Sequence, residues 1–114
     1  MDEKLQLTID TLQDVKISDI VVFDMRKTSP FFDYVVLSSA NNPRQLKAGM
    51  ARLKKAFDEK GHTPFKSEGG PEAKWILLDG GDLIVNIFTR EERAYYNIEK
   101  MWHDVPRIEI ENIE

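Results

Sequence analysis

"KWILLDGGDLIVNIF", residues 74–88, sets two almost unbroken apolar runs on either side of Gly80-Gly81 and predicts a tight β-hairpin. An antiparallel hairpin with one face in water should alternate apolar and polar residues, and this stretch does not. Either the rest of the chain covers both faces, or part of the apolar surface, Trp75 included, is kept for a partner. Ile76, Leu78, Ile84 and Ile87 read as core. Trp75, at the mouth of the hairpin after a polar loop, reads as the residue left partly open.

Downstream of the hairpin, Thr89-x-x-Glu92 forms a capping box and starts a helix that should end near His103. At 100° per residue, Ala94, Tyr95, Ile98, Met101 and Trp102 of that helix share one arc and predict its buried stripe, while Tyr96 falls outside it. Upstream, "SEGGPEA" reads as a loop and "TPFK" as a short extended piece. Before them Asn42 is an N-cap with Pro43 at the first helical position, and Leu46, Met50, Leu53 and Phe57 continue at helical spacing until Gly61. Two β-branched and aromatic runs, Ile20 to Phe23 and Tyr34 to Leu37, flank a loop marked by Ser29-Pro30. Leu5, Ile9 and Leu12 predict a first amphipathic helix over 2–14.

The order is therefore α-β-β-α-β-β-β-α, and the central strand-helix-strand stretch requires at least one parallel pairing. This is a mixed α/β fold with a sheet of roughly five strands flanked by helices, which can cover both faces of only some strands. With 114 residues and 41% hydrophobic content, the chain suits one domain, over 1–104, followed by a loosely attached acidic tail over 105–114.

Twenty acidic against 16 basic side chains, net −4, argue against general affinity for phosphate backbones or anionic membranes and favour a basic partner. Zero cysteines remove disulfides, thiolate zinc sites and cysteine nucleophiles, and suit a reducing compartment. No apolar run approaches the roughly 18 residues of a membrane span, and the acidic, amphipathic N-terminus is unlike a signal peptide. A cytoplasmic protein is expected.

Asp79 and Asp82 flank the Gly-Gly pair and could be read as carboxylates for metal or acid-base work, but a two-residue hairpin turn also selects Gly and Asp. His62 and His103 lack metal-ligand company, and "EGGPE" follows no strand and opens no helix, as a phosphate loop would. No metal or cofactor is expected. Arg26, Lys27, Arg44, Lys47, Lys54 and Lys55 read as solvated faces, since no aromatic platform is interleaved with them. Tyr96, beside Glu92, Arg93, Glu99 and Lys100, is either a tolerated surface residue or a contact residue, because tyrosine is enriched in interface hot spots.

Three blocks, "FFDYVVLSSANNPRQLKAG" (31–49), "WILLDGGDLIVNIF" (75–88) and "REERAYYNIEKMW" (90–102), resemble the signature blocks of the ribosomal silencing factor, or Iojap-like, family. The residues that carry the resemblance are Asp33-Tyr34, Arg44-Gln45, Trp75 with Asp79 and Asp82, Arg93 with Tyr96, and Ile98-Glu99-Lys100-Met101-Trp102. It spans about Leu5 to Asp104 in the right order. One departure is Asn86, where many members carry His, which leaves a hydrogen-bonding role at that position.

The resemblance implies a non-enzymatic factor, with a fold related to nucleotidyltransferases but without their catalytic residues. It implies binding to the large ribosomal subunit through ribosomal protein L-fourteen, which blocks joining of the small subunit and represses translation. Organelle relatives are linked to large-subunit assembly, and free members can be homodimers. On a basic ribosomal protein, Trp75, Tyr96, Glu68, Asp79, Asp82 and Arg93 would form an aromatic and acidic contact face. No membrane and no sequence-specific nucleic acid are expected as partners. The rival readings are a Mg²⁺-dependent nucleotidyltransferase, whose Asp-x-Asp carboxylate pair is missing, and a structural dimer with a self-complementary patch.

Overall fold

The hairpin forms as its sequence demands. Gly80 N–H donates to Leu83 O at 2.8 Å, and Gly81 takes φ +91°, a positive value that glycine adopts without steric cost. The two runs it joins are strands of a computed structural model that describes residues 2–69 and 72–110. Its elements are α1 (Glu3–Asp14), β1 (Ser18–Asp24), β2 (Tyr34–Ala40), α2 (Pro43–Glu59), β3 (Lys66–Glu68), β4 (Trp75–Asp79), β5 (Leu83–Thr89), α3 (Arg90–Tyr96), α4 (Ile98–Met101) and β6 (Arg107–Ile108).

Six strands lie in the order β3-β4-β5-β2-β1-β6. β2 and β5 pair in parallel from Tyr34↔Leu83 to Ala40↔Thr89, and the other neighbours are antiparallel. The parallel pair is central, so all seven residues of β2 are buried. α1 and α2 cover one face, where Leu5, Ile9, Leu12, Leu46, Leu53 and Phe57 pack on Val36, Ile76, Val85 and Ile87. α2 starts as predicted, with the Asn42 side chain accepting the Gln45 N–H and Pro43 in its first turn. Gly49 lets α2 approach closely, because a Cβ there would run into the Ile17 Cδ1.

The opposite face carries a second cluster, Phe23, Met25, Val35, Leu37, Phe88 and Val105, partly covered by α4 and by Trp102, whose ring meets Phe23 edge-on at 5.3 Å. This cover is incomplete. β4 alternates half-buried and buried residues although its sequence does not alternate, with Trp75, Leu77 and Asp79 on the half-covered side.

Three expectations need correction. The last helix is two short ones, because Asn97 adopts a left-handed conformation (φ 47°, ψ 52°) that Asn tolerates better than most residues. That break resets the helical phase, so the 100° spacing fails across it: Ile98 and Trp102 pack inward, whereas Tyr95 is 79% and Met101 70% exposed. The sheet has a sixth strand, since β6 pairs with β1 through Val22↔Ile108 and Phe23↔Arg107. The chain after 104 is thus attached, with Val105 buried, rather than loose; residues 111–114 of the expected tail, and 70 and 71 of the "SEGGPEA" loop, lie outside the described residues.

Candidate protein-binding face

Trp75 leads β4 on the half-covered side and stacks on Phe88 of β5, its partner in register, with ring centroids 4.8 Å apart. Its indole Nε1–H donates to the Asn86 Oδ1 at 3.0 Å. Asn86 is 5% exposed, and its amide also donates to the Val36 carbonyl at 3.3 Å, so this buried polar side chain is bonded at both ends. The indole is thereby fixed in one orientation. Tyr96 then leans on its outer side at 5.2 Å, itself 49% exposed and met edge-on by Tyr95.

Glu68, at the end of β3, lines a shallow cleft with Gly69, Trp75 and Leu77, which places one acidic residue beside the aromatic group. Asp79 and Asp82 sit at the other end of the hairpin, about 13 Å from Trp75 along a strand that rises ~3.3 Å per residue. There Asp79 accepts the Gly81 N–H at 2.9 Å, and Asp82 accepts a charge-assisted bond from the Lys4 ammonium at 2.7 Å. Both carboxylates hold the turn. Among the described residues no cluster of three or more His, Cys, Asp or Glu is placed to hold a metal ion.

Arg93 takes a different place from the other predicted residues. Its side chain is 11% exposed and donates to the Ser39 Oγ at 2.9 Å, to Glu99 at 3.1 Å and to the Asp19 carbonyl. It ties α3 and α4 to β1 and β2, and so orients Tyr96 from behind rather than facing a partner.

Other open or partly open apolar residues escaped the spacing argument. Phe31, 82% exposed, projects from the loop between β1 and β2, while its neighbour Phe32 packs on the second cluster. Leu77 is half-buried on the Trp75 side, and so is Ile84, which reads as core in the sequence. An apolar pair directly after Ser29-Pro30, in a loop that should be polar, was the available signal for Phe31. Near that loop, the Arg26 guanidinium bonded to Asp24 holds the Asp24 carboxyl at about 2, and burial pushes the Tyr34 hydroxyl up.

The family model described as "Ribosomal silencing factor during starvation" matches residues 1–114. This chain belongs to the ribosomal silencing factor family. It is 37% identical over 111 residues to the ribosomal silencing factor RsfS of Halalkalibacterium halodurans, covering 97% of this chain and 95% of that protein. The RsfS of Bacillus subtilis is 36% identical over 107 residues, 94% of this chain and 91% of its own length. A crystal structure of a Bacillus halodurans protein superposes with a TM-score of 0.83 at 36% identity, over 95% of this chain and 98% of that one. The chloroplastic Iojap protein of Zea mays is 28% identical over 85% of this chain but only 42% of its own length. Membership places the protein's action in the regulation of translation through the ribosome. No helix among the described residues is long and apolar enough to cross a membrane.

Proposed function

We propose that this protein represses translation by binding the large ribosomal subunit through ribosomal protein L-fourteen and keeping the small subunit from joining. One observation carries the reading: an oriented Trp75-Tyr96 pair on a half-covered sheet face, with Tyr95, 79% exposed, set edge-on against Tyr96. Aromatic side chains grouped and partly exposed in this way are the composition of an interface core. Glu68 borders the face and suits a basic ribosomal protein by charge, while Asp79 and Asp82 stand at the other end of the hairpin.

The role is steric and non-catalytic: the Asp79 and Asp82 carboxylates are engaged by the turn and by Lys4, and the buried Asn86 by Trp75 and Val36. The same apolar face favours a second copy of the chain when the ribosome is absent, which makes homodimer and ribosome complex mutually exclusive. A contribution to large-subunit assembly is compatible with the same contact. The test is co-sedimentation with separated subunits in the compartment's own ribosomes, the cytoplasm's for a bacterial source. The protein should travel with the free large subunit and with neither small subunits nor joined ribosomes, and equal binding to both subunits would refute the reading.

A further inference from the structure

The face of α2 turned away from the sheet carries a net positive charge in a chain of net −4, and the proposed protein-binding face uses none of it. α2 holds five Lys or Arg and two Asp or Glu, while the rest of the chain holds eleven against eighteen. At 100° per residue, Arg44, Lys47, Lys54 and Lys55 fall within an arc of about 100°. All four are exposed, and Ala48 and Ala51 between them are exposed too, so the cations border a low spine that a flat or convex partner can approach closely.

Intramolecular pairing does not account for this charge. Among the described residues Arg44, Lys47 and Lys55 form no ion pair or side-chain hydrogen bond, and Lys54 donates only to the Ser67 Oγ. Asp14 neutralises Arg52 on the α1 side, and Lys55 shares the cleft between α1 and α2 with Asp10 and Glu59.

Helix stability does not account for it either. The macrodipole favours acids in the first turn and bases in the last, yet α2 has no acid in its first turn and no base in its last. Arg44 and Lys47 lie near the positive end, and Asp58 and Glu59 lie near the negative one. This order costs stability in the free protein and concentrates positive potential over the N-terminal half of the helix, the arrangement that attracts a polyanion.

We infer that the outward face of α2 is a second docking surface, taking the phosphate backbone of ribosomal RNA without reading its sequence. The inference rests on the family's ribosomal role. α2 packs on the sheet face opposite Trp75, so the two surfaces are separate and can be engaged together. A small domain seated where ribosomal protein and RNA alternate then binds protein through its aromatic face and phosphates through α2. The chain's net charge of −4 would repel RNA elsewhere, which restricts the contact to this helix.

The test compares the full-length parent with an Arg44→Gln, Lys47→Gln, Lys55→Gln triple variant for binding to purified large subunits across a salt series. Each phosphate contact contributes about 0.7 to 0.9 to the slope of log affinity against log salt, so the triple variant should be shallower by about 2 to 3. Its melting temperature should stay close to the parent's, because all three side chains are exposed and two of the charges leave the positive helix end, and its affinity for isolated ribosomal protein L-fourteen should be unchanged. An unchanged salt slope on the large subunit overturns the inference. If the parent itself fails to bind L-fourteen, the proposed function fails instead, and the two results are separable.

Because the chain has no cysteine, Ala51→Cys offers a unique attachment point for a photo-crosslinker. Crosslinks to RNA in the large-subunit complex support the contact. Crosslinks to protein alone, or binding of anionic vesicles by the parent that the triple variant loses while its large-subunit slope stays at the parent's, would overturn it.

Discussion

Replacing Trp75 by Phe isolates the hydrogen bond that orients the candidate face. The phenyl ring keeps an aromatic stack between Phe88 and Tyr96, but the Nε1–H that reaches the Asn86 Oδ1 at 3.0 Å is gone. Asn86 is 5% exposed, so its carbonyl is left with no donor and little water. A buried acceptor stranded in this way costs ~1 to 3 kcal/mol. With an unfolding entropy of ~2.1 cal/mol/K per residue, a domain of this length loses about 4 °C of melting temperature per kcal/mol, which predicts a fall of about 4 to 12 °C by calorimetry. The double-mutant cycle with Asn86→Ala sharpens the test, because Trp75→Phe should cost less where the acceptor is already absent. The variant should also bind large subunits more weakly than its stability loss explains, since a loosened ring no longer presents Tyr96 in one orientation. A melting temperature within about 1 °C of the parent, or an equal cost in both backgrounds, would refute the assignment of that bond as the orienting contact.

Tyr96→Ala should melt close to the parent, because the residue is 49% exposed, yet lose about 30-fold in affinity for the large subunit, the equivalent of a ~2 kcal/mol hot spot. A stability loss as large as that of the core control Ile87→Ala, at ~2 to 5 kcal/mol, would show that Tyr96 is structural instead. Arg93→Lys should destabilise by ~2 to 3 kcal/mol in urea titrations, because one ammonium cannot reach Ser39, Glu99 and the Asp19 carbonyl at once. The Asp24 carboxyl, bonded to Arg26, is lowered from its usual 3.8 to about 2, so its contribution to stability is fully present above about pH 4 and is lost as pH falls toward 2. Asp24→Asn should therefore flatten the acid limb of a stability-versus-pH curve, and an unchanged limb would count against that bond. The purified protein should turn over no nucleoside triphosphate with Mg²⁺; turnover that vanishes in Asp79→Ala would reverse that expectation.

Local rules determined most of the elements. Asn42-Pro43 capped α2, Asp79-Gly-Gly-Asp82 made the turn, and Thr89 accepted the Glu92 N–H at the start of α3. Each depends on residues within a few positions of one another, which a sequence displays directly. The strand-helix-strand order likewise fixed a parallel pairing, seen between β2 and β5. The apolar hairpin also announced that Trp75 would stand at the edge of the core.

What required the tertiary structure was long-range or phase-dependent. The left-handed Asn97 shifted Tyr95 and Met101 from the predicted core to the surface, because a helical period holds only while the helix is unbroken. β6 needed a partner strand more than eighty residues earlier in the chain, so nothing local marked it. Arg93 looked like a contact residue by its company and became an internal tie because Asp19, Ser39 and Glu99 converge on it only after folding. The same holds for the charge on α2. In sequence its cations read as a solvated face, and only the packed sheet reveals that they stand together, largely unpaired, on the side opposite the aromatic face.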